Sequence, residues 1–251
     1  MSATTHLLPL IYVAMLWFLS TALVVALDHR ARGPLALYIM GLAAVAGAAV
    51  IALTAHRAEP FAAYAAFTAA FAIWGWHELA FLTGHITGPR QAPLPAGAQG
   101  WERFRLSAAT VIHHEIALAA TLALLIALSW SQPNWSGAAA FGLLFGLRLS
   151  TKLNIFMGVP NFTPDILPPQ LAYLKSYFRV RPMGVAMLVS LAAIAVLTWW
   201  LAARALAADE AVGWSLLTGL AVLGLIEHLF LVLPLRDGAL WRWAIPAHNR
   251  S

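Results

Sequence analysis

Ionisable side chains interrupt four otherwise apolar stretches of this sequence, and they are of the types that bind metals, pigments or protons. The residues concerned are His77, Glu78, His113, His114, Glu115, Arg148, Lys152, Glu227 and His228, and the polar but uncharged Asn154 lies close to Lys152 in the sequence. A charged side chain at the centre of a membrane-spanning helix costs about 2.5–3.5 kcal/mol on insertion scales. So many in a chain of 251 residues therefore require a structural or functional reason.

Three interpretations of these residues stay open. The first is a structural network, in which Glu78, Glu115 and Glu227 pair with Arg148, Lys152 and a histidine, and Asn154 takes part. The second is a cofactor site, in which a histidine coordinates the central metal of a tetrapyrrole; the candidate ligands are His77, His113, His114 and His228.

The third interpretation is a metal site, with iron as the candidate ion. Its candidate ligands are His77, Glu78, His114, Glu115, Glu227 and His228. Two features oppose it. Adjacent His and Glu residues on a helix point about 100° apart, because the helix has 3.6 residues per turn. In addition, Arg148 and Lys152 would repel a cation.

Other catalytic classes lack their sequence signatures here. The chain has no cysteine, which excludes disulfides, thiolate-held iron–sulfur clusters and cysteine nucleophiles. It also has no phosphate-binding glycine loop, nucleophile elbow or H-E-x-x-H zinc motif. The basic residues lie mostly in short loops between apolar segments, a pattern that does not indicate nucleic-acid binding.

The elements that position these residues are membrane-spanning helices. The chain is 61% hydrophobic and 10% charged, whereas soluble domains average roughly 45–50% and 25%. A spanning helix needs about 20 mostly apolar residues. Seven segments meet that requirement: 7–27, 34–55, 61–82, 107–130, 137–158, 184–203 and 212–234. We therefore expect an all-α fold, a polytopic integral membrane bundle of about seven transmembrane helices in a single domain, 1–251.

The positive charges predict the orientation. With a periplasmic N-terminus and a cytoplasmic C-terminus, all 15 lysines and arginines except Arg57 and Arg204 fall on the inner side, as the positive-inside rule requires. In that topology the ionisable residues of helices three, four, five and seven share one depth, in the inner half of the bilayer. On helix four, Thr110, His114 and Thr121 form a stripe that we expect to face the bundle interior.

The inner loop 159–182 contains a short amphipathic segment after Pro168 and Pro169. Leu171, Leu174 and Phe178 share one face, while Lys175 and Arg179 share another. Such a segment either lies in the membrane interface beside anionic headgroups or packs on the bundle as an ordinary loop helix.

Three strings carry a resemblance to a known family. They are LSTKLNIFMGVPNFTPDILPPQLAYLKSYFRVRPM at 149–183, WGWHELAFLTGHITGPR at 74–90 and ATVIHHEIA at 109–117. With them, nearly the whole chain resembles the PuhE family of photosynthetic-complex assembly proteins of anoxygenic phototrophic bacteria. That family provides no established role for any of the residues inside these strings.

The resemblance implies a multi-pass protein of the bacterial inner, photosynthetic (intracytoplasmic) membrane, usually encoded near the reaction-centre H subunit. Such a protein assembles the reaction centre and core antenna or modulates bacteriochlorophyll supply. Its partners would be the lipid bilayer and either reaction-centre or core-antenna subunits or bacteriochlorophyll-synthesis proteins. Bacteriochlorophyll or another tetrapyrrole would then be the candidate cofactor, ahead of iron.

Two other functions remain open. The first is an integral membrane enzyme with a His/Glu metal site, acting on a lipid-soluble or tetrapyrrole substrate. The second is a transporter of protons or small molecules that uses the buried Glu and His residues as a relay. A relay requires polar groups through the outer half of the membrane, where the sequence has few.

Overall fold

The computed structural model describes residues 2–30, 34–161, 167–208 and 211–234. Seven long helices make up most of this part of the chain: α1 (Leu8–Arg30), α2 (Pro34–Thr54), α3 (Pro60–Leu82), α4 (Gly100–Leu128), α5 (Ser136–Met157), α6 (Val185–Ala207) and α7 (Ala211–Phe230). A π-helical turn (Ala3–Leu7) precedes α1, and a 3-10 helix (Pro169–Tyr177) lies between α5 and α6. The all-α prediction is confirmed.

Six of these helices are long and apolar enough to span a membrane, and the protein is a multi-pass membrane protein. The helix outside that group is α5, although about seven spans were expected. Arg148, Lys152 and Asn154 reduce its apolar character. It packs between α3, α4 and α7, so its polar side chains meet protein rather than lipid, which is how such groups are accommodated at membrane depth.

Helix α3 lies at the centre of the bundle, in contact with α1, α2, α5 and α7. Small residues allow its neighbours to approach its backbone. A Cβ atom at Gly47 of α2 would lie 2.9 Å from the Ala69 carbonyl oxygen, and one at Gly137 of α5 would lie 2.9 Å from that of Ala66. Close backbone approach through small residues is a common basis of helix packing in membranes.

Helix α4 begins at Gly100 rather than at residue 107, and α7 ends at Phe230 rather than at residue 234. The first turns of α4 contain Glu102, Arg103 and Arg105. A search for apolar runs misses such turns, because they continue the helix beyond its apolar part. Some of the residues that support the predicted topology lie outside the described part of the chain: the side chain of Arg30, and Arg32, Arg236, Arg242 and Arg250. Asp165, which belongs to the string 149–183, also lies outside it.

The loop between α3 and α4 packs against the side of α4. The backbone N–H of His114 donates to the Thr87 carbonyl oxygen at 3.0 Å, and the N–H of Arg90 donates to that of Ala109 at 3.1 Å. Tyr177 joins this loop to the 3-10 helix, because its hydroxyl donates to the Ala92 carbonyl oxygen at 2.9 Å and accepts from Arg90 Nε at 2.8 Å. The α3–α4 loop and the loop between α5 and α6 therefore form one connected layer.

Gly88 makes this backbone contact possible. A Cβ atom at that position would lie 2.2 Å from the Ala109 carbonyl oxygen and 2.6 Å from the carbonyl carbon of Thr110. Both are backbone atoms and cannot move aside as a flexible side chain would.

We predict that Gly88→Ala destabilises the protein by about 3 kcal/mol, the upper end of the usual cost of overpacking. Thermal unfolding of the purified protein in detergent measures the effect. The matched control is Gly97→Ala, since a Cβ atom there meets nothing within 4 Å; its φ of +85° makes alanine strained, so any cost of that variant is conformational. Equal unfolding midpoints for Gly88→Ala and the wild type would contradict the described packing.

The 3-10 helix packs on the bundle. Leu171 and Leu174 are buried against Phe81 of α3, with Phe178 partly buried beside them, while Lys175 is exposed. The packing of its apolar face therefore agrees with the second expectation for this segment, a loop helix packed on the bundle.

Candidate functional site

The polar residues that the sequence places at one depth form two groups on opposite faces of α5. We call the first the acid–base cluster; its members are His77, Glu78, His114, Glu115, Arg148, Lys152 and Glu227. We call the second the serine–histidine cluster; its members are Ser150, Asn154, Ser190 and His228. Arg148 and Lys152 are one turn apart, whereas Ser150 and Asn154 point about 200° away from them, as helix geometry requires.

Arg148 joins three helices within the acid–base cluster. Its Nη2 donates to Glu78 Oε2 of α3 at 3.0 Å, and its Nη1 lies 3.9 Å from Glu227 Oε1 of α7. The Glu78 side chain is 12% exposed, whereas those of Arg148 and Glu227 are 35% and 38% exposed. One cation thus neutralises a buried carboxylate and a more accessible one.

Lys152 joins α5 to α4. Its Nζ donates to Glu115 Oε1 at 2.5 Å, and it lies 5.1 Å from the centre of the Phe81 ring. The aromatic face adds a cation–π contact to the ion pair. The two ion-paired groups together connect α3, α4, α5 and α7 at one level.

His114 is the most enclosed member of the cluster, with no exposed surface. Its ring lies 4.8 Å from that of Phe81 and 6.3 Å from that of His77, measured between ring centres. Its Nε2 is 4.0 Å from Glu78 Oε1, which is too long for a direct hydrogen bond. Neither of its ring nitrogens has a hydrogen-bond partner among the described residues.

His77 of α3 contacts α4 at Thr121, two helical turns beyond His114. Its Nε2 lies 2.9 Å from Thr121 Oγ1, and the prediction that Thr110, His114 and Thr121 face inward is confirmed. Free hydrogen-bonding capacity remains on five side chains of the described cluster: His77 Nδ1, Glu78 Oε1, both nitrogens of His114, Glu115 Oε2 and Arg148 Nε. Buried polar atoms normally have a partner, so these atoms could bind a water molecule or a small polar ligand.

Every member of the serine–histidine cluster takes part in at least one hydrogen bond. His228 Nδ1 lies 2.8 Å from the Gly224 carbonyl oxygen and its Nε2 lies 3.0 Å from Ser150 Oγ. Asn154 Nδ2 donates to the Ser150 carbonyl oxygen at 2.9 Å and to Ser190 Oγ at 2.8 Å. This cluster joins α5 to α6 and α7.

The four candidate tetrapyrrole ligands are not brought together. His77 and His114 lie in the acid–base cluster and His228 lies in the serine–histidine cluster, all of them buried, while His113 is exposed on the outside of α4. A macrocycle would have to displace packed side chains to reach any of the three buried rings. Histidine ligation of a tetrapyrrole stays a prediction.

The metal hypothesis receives no support from the geometry. Within the described ranges, no group of three His, Asp or Glu side chains could hold a metal ion. The carboxylates of Glu78 and Glu115 instead bind Arg148 and Lys152, and His228 of the proposed ligand set belongs to the serine–histidine cluster.

Sequence reasoning missed Phe81, Ser150 and Ser190 because such residues are common in membrane helices. It also missed Arg103, which is 4% exposed. Arg103 Nη2 donates to the Phe156 and Tyr177 carbonyl oxygens at 2.8 and 2.6 Å, and its guanidinium lies 3.8 Å from the centre of the Phe156 ring. Its place just before an apolar helix suggested only a topology signal.

The fold and the two clusters define a multi-pass α-helical membrane protein whose intramembrane charges are paired across helices. The chain belongs to the family described as "Protein of unknown function (DUF3623)", whose profile matches residues 3–251. It is 39% identical over 206 residues to the "Uncharacterized 30.4 kDa protein in puhA 5'region" of Rhodobacter capsulatus, covering 81% of this chain and 75% of that protein. No solved structure matches the chain.

Proposed function

We propose that this protein is an assembly factor for the photosynthetic reaction centre and core antenna, or a modulator of bacteriochlorophyll supply, in the inner photosynthetic membrane. The observation that carries the proposal is the relative in Rhodobacter capsulatus, whose name places it in the 5' region of puhA. The resemblance to the PuhE family, whose members are usually encoded near the reaction-centre H subunit, points to the same process.

The geometry favours a scaffold over a catalyst. Both cations of the acid–base cluster contact acids on neighbouring helices, so these charges stabilise the bundle rather than face an open substrate cleft. The lateral faces of α2 and α6 carry large exposed apolar side chains, among them Leu42, Val45, Val189 and Val196. Such faces can contact lipid or the helices of reaction-centre or core-antenna subunits.

The test replaces the relative in Rhodobacter capsulatus with this chain. Deletion of the relative should lower the near-infrared absorbance of assembled reaction centre and core antenna per cell, and expression of this chain should restore it. As a control, the Arg105→Met variant, which changes an exposed arginine, should be expressed and should restore the absorbance as the unchanged chain does. Normal absorbance in the deletion strain would contradict the proposal.

The same strains distinguish assembly from pigment supply. If the protein acts in assembly, total extractable bacteriochlorophyll remains while the absorbance of the complexes falls. If it acts in supply, total pigment and complexes fall together.

One observation favours an enzyme as the second candidate: the enclosed His114 ring, with both nitrogens available, lies beside Glu78 and His77. Metal analysis of the purified protein separates the two candidates. Near-stoichiometric iron that a Glu115→Ala variant loses would favour a metalloenzyme over the assembly factor.

A further inference from the structure

A large apolar cavity lies between α5 and α6, with α7 as its floor. Its volume is about 670 Å³, within the range of roughly 300–1,000 Å³ that is typical of small-molecule sites. It exists because α6 packs along α7 and meets α5 at few points, and because α5 presents small residues to it. The small and apolar lining includes Ala139, Gly142, Gly146, Ala193, Ile194 and Leu197.

The two ends of this cavity differ in chemistry. Trp135, Trp200 and Trp214 lie at one end, with ring centres 4.5 Å apart for Trp135 and Trp214 and 5.5 Å apart for Trp200 and Trp214. Ser150 and Ser190 lie at the other end. The fifteen residues from Trp135 to Ser150 correspond to about 22 Å along α5, most of the roughly 30 Å hydrocarbon thickness.

The hydrogen bonds of the serine–histidine cluster define what the polar end can recognise. The Gly224 carbonyl oxygen can only accept, so His228 Nδ1 carries the proton and, in the neutral ring, Nε2 accepts from the Ser150 hydroxyl. Ser190 Oγ already accepts from Asn154. Its own hydroxyl hydrogen meets no acceptor among the residues the structure describes, so it can donate to a ligand.

The lack of charged side chains in the described lining further restricts the chemical class of the ligand. None of the described lining residues is charged, so the site has no partner for a phosphate or an ammonium group. Ser190 lies five residues after the start of α6 at Val185, roughly 8 Å along the helix. Ser190 therefore lies near one end of this membrane-spanning helix.

From these features we propose that the cavity binds an isoprenoid quinone. Such a lipid has an uncharged head with carbonyl acceptors, one of which receives the Ser190 hydroxyl hydrogen, and a single apolar tail that follows α5 toward the tryptophans. The proposal concerns binding only and goes beyond the assembly function. It is tested on the purified chain, so its failure would leave the complementation test unaffected.

Neighbouring alanines on α6 provide a matched pair of variants. Both are exposed, but Ala193 lines the cavity, whereas Ala192 lies outside its lining. Ala193→Phe should fill the cavity and Ala192→Phe should not, although both add the same side chain to the same helix. Gly146→Phe is an independent filling variant, since a Cβ atom there meets nothing within 4 Å.

The measurement is titration of the full-length protein in detergent with ubiquinone-2, followed by quenching of tryptophan fluorescence, alongside solvent extraction and mass spectrometry of lipids that copurify. The wild type and Ala192→Phe should bind saturably and copurify with quinone. Ala193→Phe and Gly146→Phe should bind at least about tenfold more weakly, and Ser190→Ala about three- to tenfold more weakly, the loss expected for one hydrogen bond.

Several results would overturn the proposal. They are linear, unsaturable quenching of the wild type, copurification of phospholipid or pigment without quinone, and equal affinities for Ala192→Phe and Ala193→Phe. Size-exclusion profiles identify a variant that fails to fold. If Ala193→Phe does not fold, Gly146→Phe decides by the same criterion, and Ser190→Ala decides if neither filling variant folds.

Discussion

Replacement of Arg148 by methionine is expected to destabilise the protein by about 3 kcal/mol, the lower end of the cost of breaking a buried ion pair. The loss leaves the Glu78 carboxylate without its cation in a mostly buried position and Glu227 without its nearest positive charge. We take the lower end because the Arg148 side chain is about one third exposed, so that solvent can screen part of the interaction.

Unfolding of the purified variant in detergent, together with its steady-state amount in the membrane, measures this effect. Arg148→Lys should be intermediate, because lysine keeps the charge but has no forked guanidinium to reach both carboxylates. Arg105→Met is the matched control, since an exposed arginine on α4 should change stability by less than about 0.5 kcal/mol. Equal losses for Arg148→Met and Arg105→Met would contradict a structural role for the cluster.

Replacement of Lys152 by methionine is expected to cost about 3–5 kcal/mol, the full range for a buried pair. The side chains of Lys152 and Glu115 are 22% and 15% exposed, so they are screened less than Arg148. The variant leaves the Glu115 carboxylate uncompensated between α4 and α5 and removes the cation that faces the Phe81 ring.

The chain contains one other lysine, Lys175, which is exposed on the 3-10 helix. Lys175→Met therefore removes the same charge and adds the same side chain at a position without a buried acid. The midpoint of thermal unfolding should fall for Lys152→Met and stay near the wild-type value for Lys175→Met. A Lys152→Met protein as stable as the wild type would show that the Glu115 pair contributes nothing.

The sequence predicted the helices because their signal is local. Apolar runs of about 20 residues separated by Pro and Gly identify spans without reference to neighbouring helices. The shared depth of the ionisable groups follows from counting residues along each span. The ion pairs Glu78–Arg148 and Glu115–Lys152 agree with it.

The choice of partners could not be predicted, because it depends on the rotation and tilt of each helix, which are set by packing between helices. Ser150 and Lys152 are two residues apart on α5 yet lie in different clusters. His113 and His114 are adjacent, yet one is exposed and the other is fully buried. The contact between the Gly88 loop and α4 is a long-range backbone contact, which no local pattern in the sequence indicates.

We infer that the ion pairs between the intramembrane charges hold the helices together. A double-mutant cycle of Glu115→Gln and Lys152→Met in one membrane mimetic tests it most directly. We expect the double variant to recover part of the stability lost in the single variants, with a coupling energy of about 1–3 kcal/mol. Losses that add within about 0.3–0.5 kcal/mol, as for independent sites, would contradict it.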